Sequence, residues 1–339
     1  MVIDDTDFFM GLALQEAWKY QGLSYPNPAV GCTIATSDGR LLSVAAHKEA
    51  GKPHAEVYAL QAAFFKLTQD EAILQLEESA EIHTYLINNH NNIFHNTHLF
   101  TTLEPCAHQG KTPSCASLIS TLGIQKVFVG SLDFNPAASC GNEILRKSGI
   151  EVKVDVLKEK CDALLEPFLH FREGGFCFFK WAQRLNATID GGVISSLESR
   201  KHVHALRNRC DLLVIGGESV RRDRPTLDAR LVNGEAPDIL IYSTQKDFDR
   251  TIPLFNVANR KVFIESTLLK IKEYKNVMIE GGPLMYESTK EFVSHYLCYI
   301  APTFGGSEVF AKASESFKIL NLQKEREDII LWMKREEKR

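Results

Sequence analysis

His54, Cys106 and Cys115 are the residues whose types and spacing point most directly to chemistry. Imidazole and thiolate are zinc donors, and a catalytic zinc ion is held by three protein ligands with a fourth position left for water. One His and two Cys supply that set. Cys106 and Cys115 flank the short segment AHQGKTPS, and His54 and Cys115 both stand where helices should open. The donors can therefore converge on one ion, and a helix N-terminus also favours a thiolate. Glu56, two residues past His54, can reach the open position without being a ligand. There it can act as general base to the water and then as general acid to a leaving amine. Two blander readings stand beside this one: a purely structural zinc with His108 as fourth ligand, or a core histidine with incidental cysteines.

His54-Ala55-Glu56 and Pro105-Cys106 match the H-x-E and P-C parts of the zinc nucleobase-deaminase signature, but the second cysteine follows nine residues later rather than three. Three segments carry a more specific likeness: Pro26-Asn27-Pro28-Ala29-Val30-Gly31-Cys32, His54-Ala55-Glu56, and Leu103-Glu104-Pro105-Cys106 through Ala107-His108-Gln109-Gly110-Lys111-Thr112-Pro113-Ser114 to Cys115. They resemble the bifunctional riboflavin-biosynthesis deaminase/reductase family, whose longer cysteine loop separates it from cytidine and adenosine deaminases. Asp133, Asn135 and Pro136 resemble the family's Asp-Pro-Asn-Pro stretch, with Phe134 in place of the first Pro; Ser114 stands where a second Pro is usual. The resemblance implies zinc on His54, Cys106 and Cys115, with Glu56 as proton shuttle. The substrate it implies is a diaminopyrimidinone bearing a ribosylamino 5′-phosphate, with Lys111 and His108 near its phosphate or ring.

The elements that must position these groups read as an α/β alternation. Residues 4 to 22 form a capped amphipathic helix, and Ala29 to Ala35 and Leu41 to Ala46 form two strands about a Ser-Asp-Gly turn. A helix over Val57 to Phe65 follows, then a strand at Leu99 to Leu103, a helix at Cys115 to Leu122 and a strand at Lys126 to Leu132. Residues 66 to 98, ending in the polar run NNHNNIFHNTH, interrupt this order and read as a surface insertion. After a strand at Val152 to Val156 and a helix at Lys158 to Arg172, a new strand at Phe176 to Ala182 opens a second block. Strands are expected there at Asp211 to Ile215, Asp238 to Tyr242, Lys261 to Glu265, Asn276 to Ile279 and Leu297 to Ala301, with the final KREEKR as a fraying tail.

The second block offers Gly pairs after strands and a basic cluster, Arg221, Arg222, Arg224 and Arg230 with Asp223. Gly-rich turns admit a phosphate to backbone amides, and guanidinium groups clamp its oxygens, although a plain turn and a solvated loop explain them equally well. Ala187-Thr188-Ile189-Asp190-Gly191, Leu206-Arg207, the run Gly216 to Arg230 and Glu280-Gly281-Gly282-Pro283 resemble the reductase half of the same family. That half is dihydrofolate-reductase-like in fold and takes hydride from NADPH. The resemblance implies substrate contacts at Arg207, Leu227, Arg230 and Glu280 and cofactor contacts at Ala187, Ser219, Asp223 and Gly282. Between Gly192 and Arg200 the chain reads VISSLES and lacks the family's Ser-x-Trp motif.

Length and composition fit this reading. A chain of 339 residues exceeds what one core usually supports, which predicts two domains: 1–155, a cytidine-deaminase-like α/β/α sandwich with the insertion at about 66–98, and 156–339, the reductase-like α/β domain. Eight cysteines are too sparse for a disulfide scaffold, and Cys32, Cys140, Cys161, Cys177, Cys210 and Cys298 read as buried, inert thiols. A net charge of -4 speaks against a nucleic-acid partner, and no apolar run reaches the roughly 20 residues that span a bilayer. The expected partner is a small phosphorylated pyrimidine, the expected location cytoplasmic, and a homo-oligomer is compatible with the sequence. The competing function readings are a tRNA or free-nucleobase deaminase with a non-catalytic C-terminal domain, and a structural-zinc binding protein.

Overall fold

The computed structural model describes residues 5–108, 113–134, 140–310 and 315–336. It divides into two compact units, Met1–Glu166 and Pro167–Arg339. The division falls inside helix Lys158–Glu173, whose interior holds Pro167; the boundary expected at 155/156 lies just before this helix. No helix among the described residues is long and apolar enough to cross a membrane.

The first unit runs α1 (Asp5–Trp18), β1 (Gly31–Thr36), β2 (Leu41–Ala46), α2 (Ala55–Thr68), α3 (Ser79–Asn89), β3 (Thr97–Leu103), α4 (Cys115–Leu122), β4 (Lys126–Ser131), α5 (Gly141–Lys147) and β5 (Glu151–Lys153), then α6 (Lys158–Glu173). Its sheet order is β2-β1-β3-β4-β5, with β1 antiparallel to β2 and β3, and with β3, β4 and β5 parallel. Apolar side chains fill both faces of the central strands: Cys32 and Ile34 of β1 and Leu99 and Phe100 of β3 are all buried. A strand covered by helices on both faces loses the polar alternation of a half-exposed one.

Residues 66–98 are a correction to the sequence reading. They hold a 3-10 turn (Glu71–Gln75) and α3, and they bury Ile73, Ile82, Leu86 and Phe94 completely. The stretch is a structural layer packed on α2 and α4 rather than a surface insertion. Gln61 ties it down, its Nε2 donating to the carbonyls of Ile73 and Leu76 at 2.8 and 2.9 Å.

The second unit contributes β6 (Phe176–Arg184), α7 (Leu197–Arg207), β7 (Leu212–Gly216), α8 (Gly217–Asp223), β8 (Asp238–Tyr242), β9 (Val262–Glu265), β10 (Asn276–Glu280), α9 (Pro283–Thr289), β11 (His295–Ala301), β12 (Phe317–Glu325) and β13 (Asp328–Arg335). The eight strands run in the order β12-β13-β11-β6-β10-β7-β8-β9, parallel except where the β12–β13 hairpin pairs antiparallel with itself and with β11. One face buries Phe179, Trp181, Val214, Leu240, Ile279 and Tyr296 in a shared core. The hairpin corrects the expected tail: Lys334 and Arg335 pair with Lys318 and Phe317, so the first two residues of KREEKR are strand. Cys140 is a second correction, since it is exposed where a buried thiol was expected.

Two candidate active sites

His54 is the N-cap of α2, in extended backbone, and its side chain makes no capping bond, which leaves the imidazole for other partners. Cys115 is the first residue of α4. Ser114, the residue that departs from the family's Pro, caps that helix by accepting from Ser117 N. The same hydroxyl donates to the Cys106 carbonyl at 2.9 Å, and Ala116 N donates to that carbonyl at 3.1 Å. One turn of backbone thus fixes both cysteines.

The result is a close triad. His54 Nδ1 lies 3.6 Å from Cys106 Sγ and 3.4 Å from Cys115 Sγ, and all three donor atoms lie within 4.8 Å of one another. A tetrahedral zinc ion with Zn–S of about 2.3 Å and Zn–N of about 2.0 Å holds its N and S ligands roughly 3.5 Å apart, so the observed separations fit that ion. The electrostatics fit as well. The Cys115 thiol and the His54 ring pull the Cys106 thiol down to about 4, so a thiolate is ready at one ligand position. Cys115 is held high by the same hydrogen bond and by burial. Among the described residues no fourth His, Cys, Asp or Glu joins the triad, and His108 is exposed, which leaves a structural site without its fourth ligand.

Glu56, the second residue of α2, is 3% exposed. Burial raises its pKa to about 7, against the lowering pull of His54. A carboxyl that exchanges protons near neutral pH beside a metal site is suited to general base and general acid work.

Sequence reasoning missed the supports of this site. His47 stacks edge-on to His54 with ring centroids 5.4 Å apart. Its Nδ1 meets the Pro53 carbonyl and its Nε2 meets the Asn27 side-chain amide, each at 3.0 Å, and burial lowers its pKa to about 4. A neutral ring that donates from Nδ1 and accepts at Nε2 satisfies both bonds. Glu104 accepts from Asp133 N at 3.2 Å and from Asn142 N at 2.9 Å, fixing the chain on both sides of the 135–139 segment. His83 of α3 is 5% exposed and, among the described residues, its Nε2 meets no hydrogen-bond partner. Gln109, Gly110, Lys111, Thr112, Asn135 and Pro136 lie outside the described residues.

Gly141 opens α5 against this turn, and a Cβ there would sit 1.8 Å from the Pro105 carbonyl oxygen. Gly141→Ala must therefore shift backbone next to Cys106, an overpacking of roughly 2 kcal/mol. The expected outcome is faster zinc loss to a chromophoric chelator, by about tenfold, from a protein that still folds.

The second site is built on the opposite face of the β6–β10 pair from the apolar core. Arg207, the last residue of α7, binds Glu280 bidentately, Nε to Oε1 at 2.9 Å and Nη2 to Oε2 at 3.0 Å. Parallel pairing sets Lys180 beside Glu280, with its Nζ 3.9 Å from Oε2. Burial alone would raise the Glu280 pKa; the two cations reverse that and leave it lowered. Burial lowers Lys180, a residue the sequence reading missed. Arg207 Nη1 also donates to the Asp228 carbonyl at 3.3 Å, and Arg230 Nη1 to Asp228 Oδ1 at 2.6 Å. Arg207, Arg230 and Glu280 are thus joined in one cluster through Asp228, and Leu227 precedes Asp228 in the chain.

The residues that the resemblance gives to the cofactor gather at the carboxyl ends of β6, β7 and β10, where ligands of parallel α/β sheets bind. Ala187, in left-handed backbone, accepts from Phe310 N at 3.0 Å. A Cβ on Gly282, the N-cap of α9, would meet Ile189 Cδ1 at 3.2 Å, so the 187–192 loop lies against the Gly281–Gly282 turn. Ser219 and Asp223 belong to α8, whose Arg222 reaches Glu308 at 3.7 Å, and Ile189 N donates to the Glu308 carbonyl at 2.9 Å. The arginine cluster itself is corrected. Arg221 stacks over Phe248, Arg222 pairs with Asp223 and Arg224 with Asp249, so three of the four are engaged locally, and only Arg230 joins the Arg207 cluster. VISSLES runs into the first turn of α7, where Ser196 caps the helix and takes Asp328 Oδ2 as acceptor for its own N–H.

Known proteins show the same division. Residues 3–131 match the family described as "Cytidine and deoxycytidylate deaminase zinc-binding region" and residues 185–329 the "RibD C-terminal domain". The riboflavin biosynthesis protein RibD of Aquifex aeolicus is 33% identical over 96% of this chain and 98% of its own length. The chain belongs to the RibD family. The RibD of Actinobacillus pleuropneumoniae is 28% identical over 88% of the chain and 84% of its length. Among solved structures, a diaminohydroxyphosphoribosylaminopyrimidine deaminase/5-amino-6-(5-phosphoribosylamino)uracil reductase of Thermotoga maritima is 25% identical, covering 98% of this chain and 99% of its own, with a TM-score of 0.63. As a RibD protein, the chain is a bifunctional deaminase and reductase of riboflavin biosynthesis that uses zinc and NADPH and acts on small phosphorylated pyrimidines.

Proposed function

We propose that residues 1–155 hydrolyse the amino group of 2,5-diamino-6-ribosylamino-4(3H)-pyrimidinone 5′-phosphate and that residues 156–339 then reduce the ribosyl side chain to ribityl. The likeness to the Thermotoga protein, itself a deaminase and reductase of such phosphoribosylaminopyrimidines, supports this substrate pair. The observation that carries the first step is the triad His54, Cys106 and Cys115 with its N–S separations of 3.4 and 3.6 Å and Glu56 buried beside it. When bound, zinc supplies acidity to a water molecule at neutral pH. Glu56 would take a proton from the attacking water and return one to the departing amine, so its carboxyl would end the cycle as it began. Glu104, His47 and Asn27 keep the cysteine turn and the start of α2 in place.

In the second unit NADPH supplies hydride, so no protein nucleophile is required. Arg207 and Arg230 bring positive charge to the phosphate end of the substrate, Leu227 contributes the loop backbone between them, and Glu280, held between Arg207 and Lys180, faces the sugar. Ala187, Ser219, Asp223 and Gly282 border the cofactor. A need for NADPH suits the cytoplasm.

The test is metal removal. Dialysis against a strong chelator should abolish ammonia release and leave reduction of the already deaminated pyrimidine within about twofold of the untreated rate, with zinc restoring the first activity. Ammonia release that survives complete zinc removal would overturn the assignment.

A further inference from the structure

Arg260, just before β9, spends its whole guanidinium on backbone carbonyls. Nη1 donates to Leu227 O at 2.7 Å, Nη2 to Thr226 O at 2.7 Å and to Leu254 O at 2.6 Å, and Nε to Leu254 O at 3.2 Å. No carboxylate forms an ion pair with it among the described residues. The loop it holds is the one between α8 and Arg230. Pro225 O accepts from Leu254 N at 3.0 Å and Asp228 O from Arg207 Nη1, so four successive carbonyls, 225 to 228, are each fixed by a donor outside the loop.

A trans peptide points its carbonyl and the next residue's N–H in opposite directions. Fixing the carbonyls of Thr226 and Leu227 on the one guanidinium of Arg260 therefore sends the N–H groups of Leu227 and Asp228 the other way. Those two N–H groups meet no acceptor among the described residues, although Leu227 is only 5% exposed. Leu227 also sits at φ 56, a left-handed conformation that costs a non-glycine residue about 1 kcal/mol and persists only where its surroundings impose it. Consecutive N–H groups turned to one side make a concave anion site.

We propose that Arg260 is the positioning residue of the reductase substrate loop: by holding the carbonyls of Thr226 and Leu227 it keeps the N–H groups of Leu227 and Asp228 presented to the substrate phosphate, beside Arg230. This rests on the reading that the loop meets the ribosyl phosphate. The fork geometry matters more than the charge, because one planar group must satisfy three carbonyls in fixed directions. A lysine keeps the charge and loses the fork.

The experiment uses the full-length protein with Arg260→Gln and Arg260→Lys. Reduction is followed with the deaminated pyrimidine carrying ribosyl phosphate and with its dephosphorylated form. In both variants KM for the phosphorylated substrate should rise about tenfold, equivalent to roughly 1.4 kcal/mol, while kcat and the KM for NADPH move less than about threefold and preference for the phosphorylated form shrinks in proportion. A residue that merely holds the fold would lower kcat and stability without changing that preference. Trypsin cleavage after Arg230, read without substrate, should quicken about tenfold in both variants. Unchanged cleavage overturns the positioning role whatever the enzyme reduces, and unchanged phosphate preference with a loosened loop overturns its link to substrate. Full recovery by Lys overturns the fork argument. Wild-type protein that reduces neither compound overturns the function reading instead, and the cleavage rates then decide Arg260 by themselves.

Discussion

Glu56→Gln should bind zinc stoichiometrically and release ammonia about a thousandfold more slowly than the wild type, with NADPH-dependent reduction unchanged. The substitution keeps the volume of a side chain that is 3% exposed and removes only its capacity to accept and return a proton. Burial already raises the carboxyl to about 7, so it is poised to change protonation state within a turnover, which an amide cannot do. The three donors of the triad are untouched, and for that reason the zinc content separates this variant from Cys106→Ser or His54→Ala, which should lose metal and activity together. A Glu56→Gln protein that keeps zinc and still deaminates at more than about a tenth of the wild-type rate would contradict the role given to this residue.

Glu280→Ala should destabilise the second unit by roughly 3–5 kcal/mol and abolish reduction, leaving ammonia release intact. Glu280 is bound by Arg207 through two hydrogen bonds and neighbours Lys180, and all three side chains are no more than 14% exposed. Removing the carboxylate strands two buried cations with no counter-charge, the costly half of a buried ion pair. For a unit of this size the loss corresponds to a fall of roughly 10 °C in its unfolding midpoint, measurable by calorimetry. The pH dependence follows from the sign of the shift. The folded pKa of Glu280 lies below the usual value of 4.5, so folding favours the ionised form; its contribution is present above 4.5 and disappears as pH falls through the lowered value. Wild type should lose stability relative to Glu280→Gln across that acid window, and equal acid sensitivity of the two proteins would count against the pairing.

The zinc site was legible in the sequence because its chemistry is carried by scarce residue types at short range. His54 and Glu56 are two residues apart, Cys106 and Cys115 nine, and each sits at a turn into a helix that the local pattern marks. Lys180 was not legible for the opposite reason. It is one lysine inside the apolar strand FCFFKWAQR, and its partner Glu280 is a hundred residues away, joined to it only by the parallel register of β6 and β10. Arg260 hid in the same way: its partners are backbone carbonyls, which have no signature in side-chain types. Nothing in residue type or spacing ties His47 and Asn27 to the zinc ligands, and only the fold brings them beside His54.

The errors in the fold have physical causes too. Residues 66–98 looked like a surface insertion because Ile73, Ile82, Leu86 and Phe94 are thinly spread among polar neighbours, and their burial depends on a surface offered by α2 and α4. The β12–β13 hairpin escaped notice because β12 is half-exposed along its length and rich in charge, so its partners rather than its own hydrophobic pattern hold it as strand. The arginines at 221, 222 and 224 read as an anion clamp because sequence proximity suggested a common target; Arg221 and Arg224 instead engage the neighbouring Phe248 and Asp249, and Arg222 engages Asp223.

The central claim is that one chain deaminates first and reduces second at two separate sites. It is tested most directly by giving zinc-loaded wild-type protein the diaminopyrimidine ribosyl phosphate and recording ammonia and NADPH together. The expected result is a full equivalent of ammonia without NADPH, and, once NADPH is added, its oxidation in equal amount after a lag that disappears when the deaminated compound is supplied instead. Oxidation of NADPH that precedes ammonia release, or ammonia with no oxidation at any time, would contradict it.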